Sequence, residues 1–217
     1  MPDSSFSWDL FHKMPLVGII RNVSPLKIKD IASVFAAAGF TSLEITMNSE
    51  DTPAVISSLV REFGDRLNIG AGTVCTREDL ETALSAGATF IVTPILDEIV
   101  IKESVAKDIP IFPGAYTPTE IYKAWSLGAS LVKLFPATQL GPNYIKEILA
   151  PLPHIKLLPT GGIDLNNFPS WLAAGAKGLG IGSSLFPKDL IDNDRWPALH
   201  QHFTDYISKY QKTIPCP

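Results

Sequence analysis

Two ionisable residues interrupt runs that are otherwise apolar and β-rich: Lys133 in S-L-V-K-L-F (130–135) and Glu44 in L-E-I-T-M (43–47). Side chains two apart on a strand share a face, so Lys133 points the same way as Leu131 and Phe135. If that face is enclosed, desolvation favours the neutral amine, the form that attacks a ketone to give a Schiff base. A lysine at a strand end can instead snorkel to water, and Lys156 in H-I-K-L-L reads as a structural residue of that sort. A carboxylate embedded in a strand needs a partner. Glu44 near Lys133 would move protons during carbonyl addition and aldol cleavage; the alternative is a structural ion pair with Lys133 or Arg21. A neighbouring carboxylate raises a lysine pKa while burial lowers it, and the sequence leaves that balance open.

Such residues need elements to hold them. Short apolar runs recur at 15–20, 42–47, 67–73, 89–93, 109–112, 130–135, 155–158 and 177–181. Stretches of helical length lie between them, at roughly 24–38, 51–63, 76–86, 97–107, 117–127, 142–150 and 164–174, with a last one near 188–210. This alternation implies βαβ units and a parallel sheet. Small-residue turns carrying Gly39, Gly87, Gly128 and Gly175 close several of the helices, where a left-handed cap favours glycine. Ser24, Thr76, Thr117 and Asp164 read as N-caps. Eight such units can close on themselves, so the expected fold is α/β, a (β/α)8 TIM barrel formed by one domain over 1–217. An open doubly wound sheet would carry a glycine-rich turn after its first strand, which G-I-I-R-N-V-S-P-L does not. The stretch 4–12 is expected to add a short helix across the barrel floor.

In a barrel of this type chemistry sits at the C-terminal ends of the strands. The polar residues there are Arg21, Glu44, Thr46, Asn48, Thr73, Thr93 with Pro94, Lys133, Thr160-Gly161-Gly162 and Gly182-Ser183-Ser184. The last two groups fall after the seventh and eighth strands. Glycines let backbone N–H groups approach an anion closely there, and Ser183 and Ser184 add hydroxyl donors, so a terminal phosphate on the substrate follows. Arg21 and Thr73 could hold a carboxylate, though a surface arginine and a turn threonine are the plainer alternatives. Pro94 shapes the turn after strand four, with or without a substrate contact.

Other chemistries find little support. The histidines at 12, 154, 200 and 202 make no HxH zinc pair on a strand and no HExxH motif, and His200 and His202 face different ways on a helix. Cys75 and Cys216 are too few for a disulfide framework and read as small core or tail residues. No metal and no cofactor is expected. A net charge of −4 argues against a nucleic-acid partner. The chain has neither a long apolar run nor a leader-like N-terminus, so no membrane contact and a cytoplasmic location are expected.

The segments G-A-G-T-V (70–74), I-V-T-P (91–94), V-K-L-F-P-A (132–137), P-T-G-G-I (159–163) and I-G-S-S-L (181–185) resemble the 2-keto-3-deoxy-6-phosphogluconate (KDPG) and 4-hydroxy-2-oxoglutarate (KHG) aldolases over roughly 14–187. The resemblance implies a homotrimeric class I aldolase without a cofactor, acting on a phosphorylated 2-keto acid. It maps the Schiff-base lysine to Lys133, the proton-transferring glutamate to Glu44 and the pyruvate-pocket threonine to Thr73. The resemblance also maps the site-lining proline and phenylalanine to Pro94 and Phe135, and the phosphate loops to Gly161, Gly162, Gly182, Ser183 and Ser184, the first loop opening at Thr160. One departure is E-I-T-M-N-S (44–49), which puts Asn48 where family members acting on the gluconate carry a carboxylate-binding arginine. Arg21 and L-G-P-N-Y-I-K (140–146) instead resemble the sister group acting on the galactonate epimer, so Arg21 is expected to take over the carboxylate. Two rival readings are a sugar-phosphate isomerase or epimerase using Glu44 as base, and a non-catalytic phosphate binder.

Overall fold

A computed structural model describes residues 5–213. Strands and helices alternate. The first half runs β1 (Leu16–Ile20), α2 (Pro25–Ala38), β2 (Ser42–Thr46), α3 (Thr52–Phe63), β3 (Asn68–Gly72), α4 (Arg77–Ser85), β4 (Phe90–Val92) and α5 (Glu98–Ala106), preceded by α1 (Trp8–Lys13). The second half runs β5 (Ile111–Phe112), β6 (Gly114–Ala115), α6 (Pro118–Ser126), β7 (Val132–Leu134), α7 (Gly141–Leu149), β8 (Leu157–Pro159), α8 (Phe168–Ala173), β9 (Leu179–Ile181), α9 (Lys188–Asp192) and α10 (Trp196–Thr213). Every strand pair is parallel. The strands form one sheet in the order β5-β4-β3-β2-β1-β9 and a second in the order β6-β7-β8. The two sheets touch at both margins. A parallel bridge joins Thr160 to Gly180, and the Ser130 N–H donates to the Ile111 carbonyl at 3.0 Å. Among the described residues no helix is long and apolar enough to cross a membrane.

The strand faces separate into two cores. Leu16, Ile20, Leu43, Ile45, Ala71, Ile91, Val132, Leu134 and Leu157 pack with the helices in one large cluster. The intervening residues Val17, Phe90, Val92, Phe112, Leu131 and Leu158 form a second cluster, closed by Phe11 from α1. Phe11 is 1% exposed and its ring lies 6.0 Å from that of Phe112. Burying one such ring contributes roughly 1.5–3 kcal/mol, enough to dock a helix of a single turn and a half. Asn68 fastens the segment just before that helix, accepting from the Ser7 N–H at 2.7 Å and donating to the Ser7 carbonyl at 2.9 Å.

Several expectations need correcting. Pro113 has no N–H to give to a ladder, and the fifth strand is split there into β5 and β6. The C-terminal stretch is two helices, because Asp194 turns left-handed (φ +53°) between α9 and α10. Asp164 caps a turn, accepting from the Asn166 and Asn167 N–H groups at 2.8 and 2.9 Å, and α8 begins only at Phe168. Ser24 makes no capping bond, whereas Thr76 and Thr117 each form a reciprocal capping box. The helix within 4–12 begins at Trp8, capped by the Ser7 hydroxyl. Ser4 and Cys216 lie outside the described residues.

Candidate active site

Lys133 shares the face of Leu131, the residue that joins the inner cluster, and is itself only 5% exposed. Its Nζ lies 5.0 Å from the centre of the Phe135 ring. Burial pushes its pKa below the ordinary lysine value; the Glu44 charge opposes that and Arg21 reinforces it. Glu44, flanked by the outward-facing Leu43 and Ile45, points to the same interior and is 2% exposed. Burial raises its carboxyl pKa against the pull of Lys133 and Arg21. For both groups desolvation is the largest influence, so burial favours the uncharged amine of Lys133 and the protonated carboxyl of Glu44.

Gly72 makes room for that carboxyl. A Cβ at this position would overlap Oε1 and Cδ of Glu44 and lie 2.6 Å from its Cγ. The register explains why: Gly72 pairs with Thr46 and Gly70 with Glu44, so β3 presents two glycines to the inward face of β2. Gly180 plays the same part for Thr160, since a Cβ there would overlap the Thr160 hydroxyl. That hydroxyl is buried and has no hydrogen-bond partner among the described residues.

The loops beyond the strands are tied to one another. Arg21 is exposed, yet its charge is felt at both Lys133 and Glu44. The next residue, Asn22, is left-handed (φ +54°), and its N–H donates to Ser49 Oγ at 2.9 Å. Ser49 Oγ also bonds the buried Thr46 hydroxyl at 2.9 Å, which fastens the Arg21 loop to the end of β2. Asn48 is exposed in that same loop. Thr73 follows β3 with φ +57°, a conformation a β-branched residue adopts only under strain. Thr93 is fully buried; its hydroxyl donates to the Ile95 carbonyl and accepts the Gly114 N–H at 3.2 Å, holding the half-buried Pro94 turn against β6.

Gly161 and Gly162 are both left-handed (φ +105° and +70°) and pack against Thr138. Ser183 is exposed. The Ser184 hydroxyl donates to the Ile163 carbonyl at 2.5 Å, joining the two glycine loops; its proton is therefore committed, contrary to the expectation of two free hydroxyl donors. Sequence reasoning passed over Gly72 and Ser49. Cys75 is half-buried rather than a core residue, and its charge and that of Lys133 influence each other. Burial, and then Asp79, raise the Cys75 thiol pKa. A groove around Pro53, Ser57 and Glu81, and another around His12, Lys177 and Tyr210, lie away from these strand ends.

Comparison with known proteins bears on this geometry. The family description "KDPG and KHG aldolase" matches residues 9–202. The chain is 36% identical over 175 residues to the 2-dehydro-3-deoxy-6-phosphogalactonate aldolase of Escherichia coli K12, covering 80% of this chain and 85% of that one. It is 32% identical over 198 residues to a 2-dehydro-3-deoxy-phosphogluconate aldolase of Pseudomonas aeruginosa, covering 91% and 88%. Among solved structures it resembles the KDPG aldolase of Legionella pneumophila, captured with pyruvate as a covalent carbinolamine intermediate. That likeness has a TM-score of 0.83 at 26% identity and covers 94% of this chain and 97% of the other.

Proposed function

The chain belongs to the KDPG and KHG aldolase family, and from that membership we propose the division of labour by which its own residues carry the reaction. The protein is a carbon–carbon lyase that cleaves a 2-keto-3-deoxy-6-phospho-sugar acid to pyruvate and glyceraldehyde 3-phosphate. The isomerase and the non-catalytic readings fall away with the family assignment. The observation that carries the mechanism is the burial of Lys133, which favours the neutral amine, beside Glu44.

In the proposed cycle the Lys133 amine adds to the C2 ketone, Glu44 gives its proton to the departing hydroxyl, and loss of water leaves a protonated imine and a Glu44 carboxylate. Glu44 takes the proton of the C4 hydroxyl, the C3–C4 bond breaks, and its electrons pass into the imine to give an enamine. Glyceraldehyde 3-phosphate leaves. Glu44 passes the proton it took to C3 of the enamine, and hydrolysis of the resulting imine releases pyruvate, restores the Lys133 amine and returns a proton to Glu44. Phe135 and Pro94 keep water from the imine, and Thr73 with Arg21 holds the carboxylate. Asn48 is too short to supply an arginine's fork, and its amide adds a single polar contact. The phosphate rests on the N–H groups of Gly161, Gly162, Gly182, Ser183 and Ser184, with the Ser183 hydroxyl as a further donor. Cleavage rates on the gluconate and galactonate epimers and on 4-hydroxy-2-oxoglutarate, followed by pyruvate release, test this function; no pyruvate from any of them would refute it.

Two substitutions test the substrate contacts. Arg21→Ala is expected to raise KM for the 2-keto acid about 10- to 100-fold, the effect of losing a charge-assisted bond; an unchanged KM would remove Arg21 from the carboxylate. Thr160→Val deletes the orphaned hydroxyl at constant shape. Valine is expected to stabilise the fold by roughly 1–3 kcal/mol, because an unsatisfied buried group is lost, while weakening substrate turnover. A melting temperature that falls instead would mean that Thr160 is satisfied in the free enzyme.

Further assignments follow the same reading. The two sheets are taken as parts of one closed (β/α)8 barrel within a single domain, with α1 across its floor. The bridge between Thr160 and Gly180 and the bond from Ser130 to Ile111 support closure. A homotrimer suits Ile95, Ile99 and Tyr122, about half exposed on and beside α5 and α6, which the Glu98–Lys123 ion pair links. A cytoplasmic location suits an enzyme of phosphorylated metabolites.

A further inference from the structure

We propose that His202 and Tyr206, on the last helix, are positioning residues that aim the phosphate loop; this rests on the phosphate reading above. The two residues are one turn apart on α10, and both reach the same atom. His202 Nε2 lies 2.9 Å from the Ser184 carbonyl oxygen, and the Tyr206 hydroxyl donates to it at 3.3 Å. Because a carbonyl only accepts, this contact uses the His202 tautomer with its proton on Nε2. The rings brace each other edge to face at 5.3 Å, and Phe168 stacks on Tyr206 at 5.8 Å.

The contact belongs to a wider pattern. The Gly162 carbonyl accepts from Asn167 Nδ2 at 2.8 Å, and the Ile163 carbonyl from Ser184 Oγ at 2.5 Å. The Gly182 carbonyl accepts from the Leu185 and Phe186 N–H groups at 2.9 and 3.2 Å. With Ser184, four carbonyls of the two glycine loops are thus occupied by donors of the protein itself. A carbonyl that swung toward a phosphate would repel it, whereas one held by the scaffold leaves the N–H ends of the peptides for the anion. At Ser184 the two donors come from α10. The C-terminal helix therefore acts on phosphate binding without touching substrate.

The test compares His202→Ala, Tyr206→Phe and the double variant with the unmodified enzyme on the phosphorylated substrate and its dephosphorylated form, alongside the rate of borohydride trapping with pyruvate. The double variant is expected to raise KM for the phosphorylated substrate about tenfold, in line with loss of one to two hydrogen bonds. The dephosphorylated substrate and pyruvate trapping are expected to change less than about twofold, and His202→Gln, which keeps a donor, should recover much of the loss. Equal losses on all three probes, or no loss on any, would overturn the inference, and Tyr206→Phe alone keeps the packing should His202→Ala fold poorly. If the unmodified enzyme itself ignores the phosphate, the phosphate reading fails as well, and the two failures are told apart.

Discussion

Lys133→Met is expected to reduce kcat on the order of 10⁴-fold or more, the usual cost of removing a covalent nucleophile. Methionine has a similar length and no charge to desolvate, so the fold should survive. Burial favours the neutral amine and the protonated Glu44 carboxyl, and once Lys133 is gone the same burial favours a Glu44 that takes up a proton over one left charged. Thermal melting is therefore expected to stay within a few degrees of the unmodified protein while turnover vanishes. The same burial sets a pH dependence. Only the unprotonated amine attacks a ketone, so kcat/KM should fall as the solution is acidified through the Lys133 pKa. That acid limb should lie below the ordinary lysine range, because burial dominates the shift. A limb at the ordinary lysine value would show an amine exposed to water, and residual turnover in Lys133→Met would place the nucleophile elsewhere.

Gly72→Ala is expected to cost about 10²- to 10⁴-fold in kcat, the range associated with a displaced general acid–base group. The backbone at Gly72 is ordinary extended strand, absent from the positive-φ positions, so alanine meets no conformational penalty there. The obstacle is steric: the new methyl would occupy the space of the Glu44 carboxyl. Either the carboxyl rotates away or β2 and β3 shift, at an overpacking cost of about 1–3 kcal/mol. KM should change much less than kcat, since Gly72 is not proposed to touch substrate. Steady-state kinetics with a melting curve on the same preparation check this. Turnover equal to that of the unmodified enzyme would mean that Glu44 is not needed where it stands.

What could be read in the sequence followed from period two. Leu131, Lys133 and Phe135 share a face by spacing alone, and the structure puts Leu131 in the inner cluster and buries Lys133. The glycine caps were legible for a similar local reason, since Gly39, Gly87, Gly128 and Gly175 all have φ between +93° and +111°. Features that depend on pairing between distant segments were not legible. Gly72 matters because β3 lies beside β2 in one register, and no local pattern fixes that register. Ser49 sits 27 residues from Asn22, and His202 sits 18 from Ser184; each contact exists only once the chain has folded. The spacing of His200 and His202 speaks only to metal binding, whereas the partner of His202 is a backbone carbonyl, which leaves no mark on a sequence. The break at Asp194 was a missed local signal, since D-N-D (192–194) is a plain turn cluster. The contest between burial and attraction at Lys133 and Glu44 could not be settled from composition, because it depends on how completely water is excluded from both groups.

Every step of the proposed cycle depends on an imine between the Lys133 amine and the substrate ketone. Incubation with pyruvate and borohydride, followed by peptide mass spectrometry, tests it most directly. One stable reduced adduct is expected on the peptide carrying Lys133, absent when borohydride or pyruvate is left out. An adduct on Lys156 or any other lysine, or none at all in an enzyme that still releases pyruvate, would contradict it.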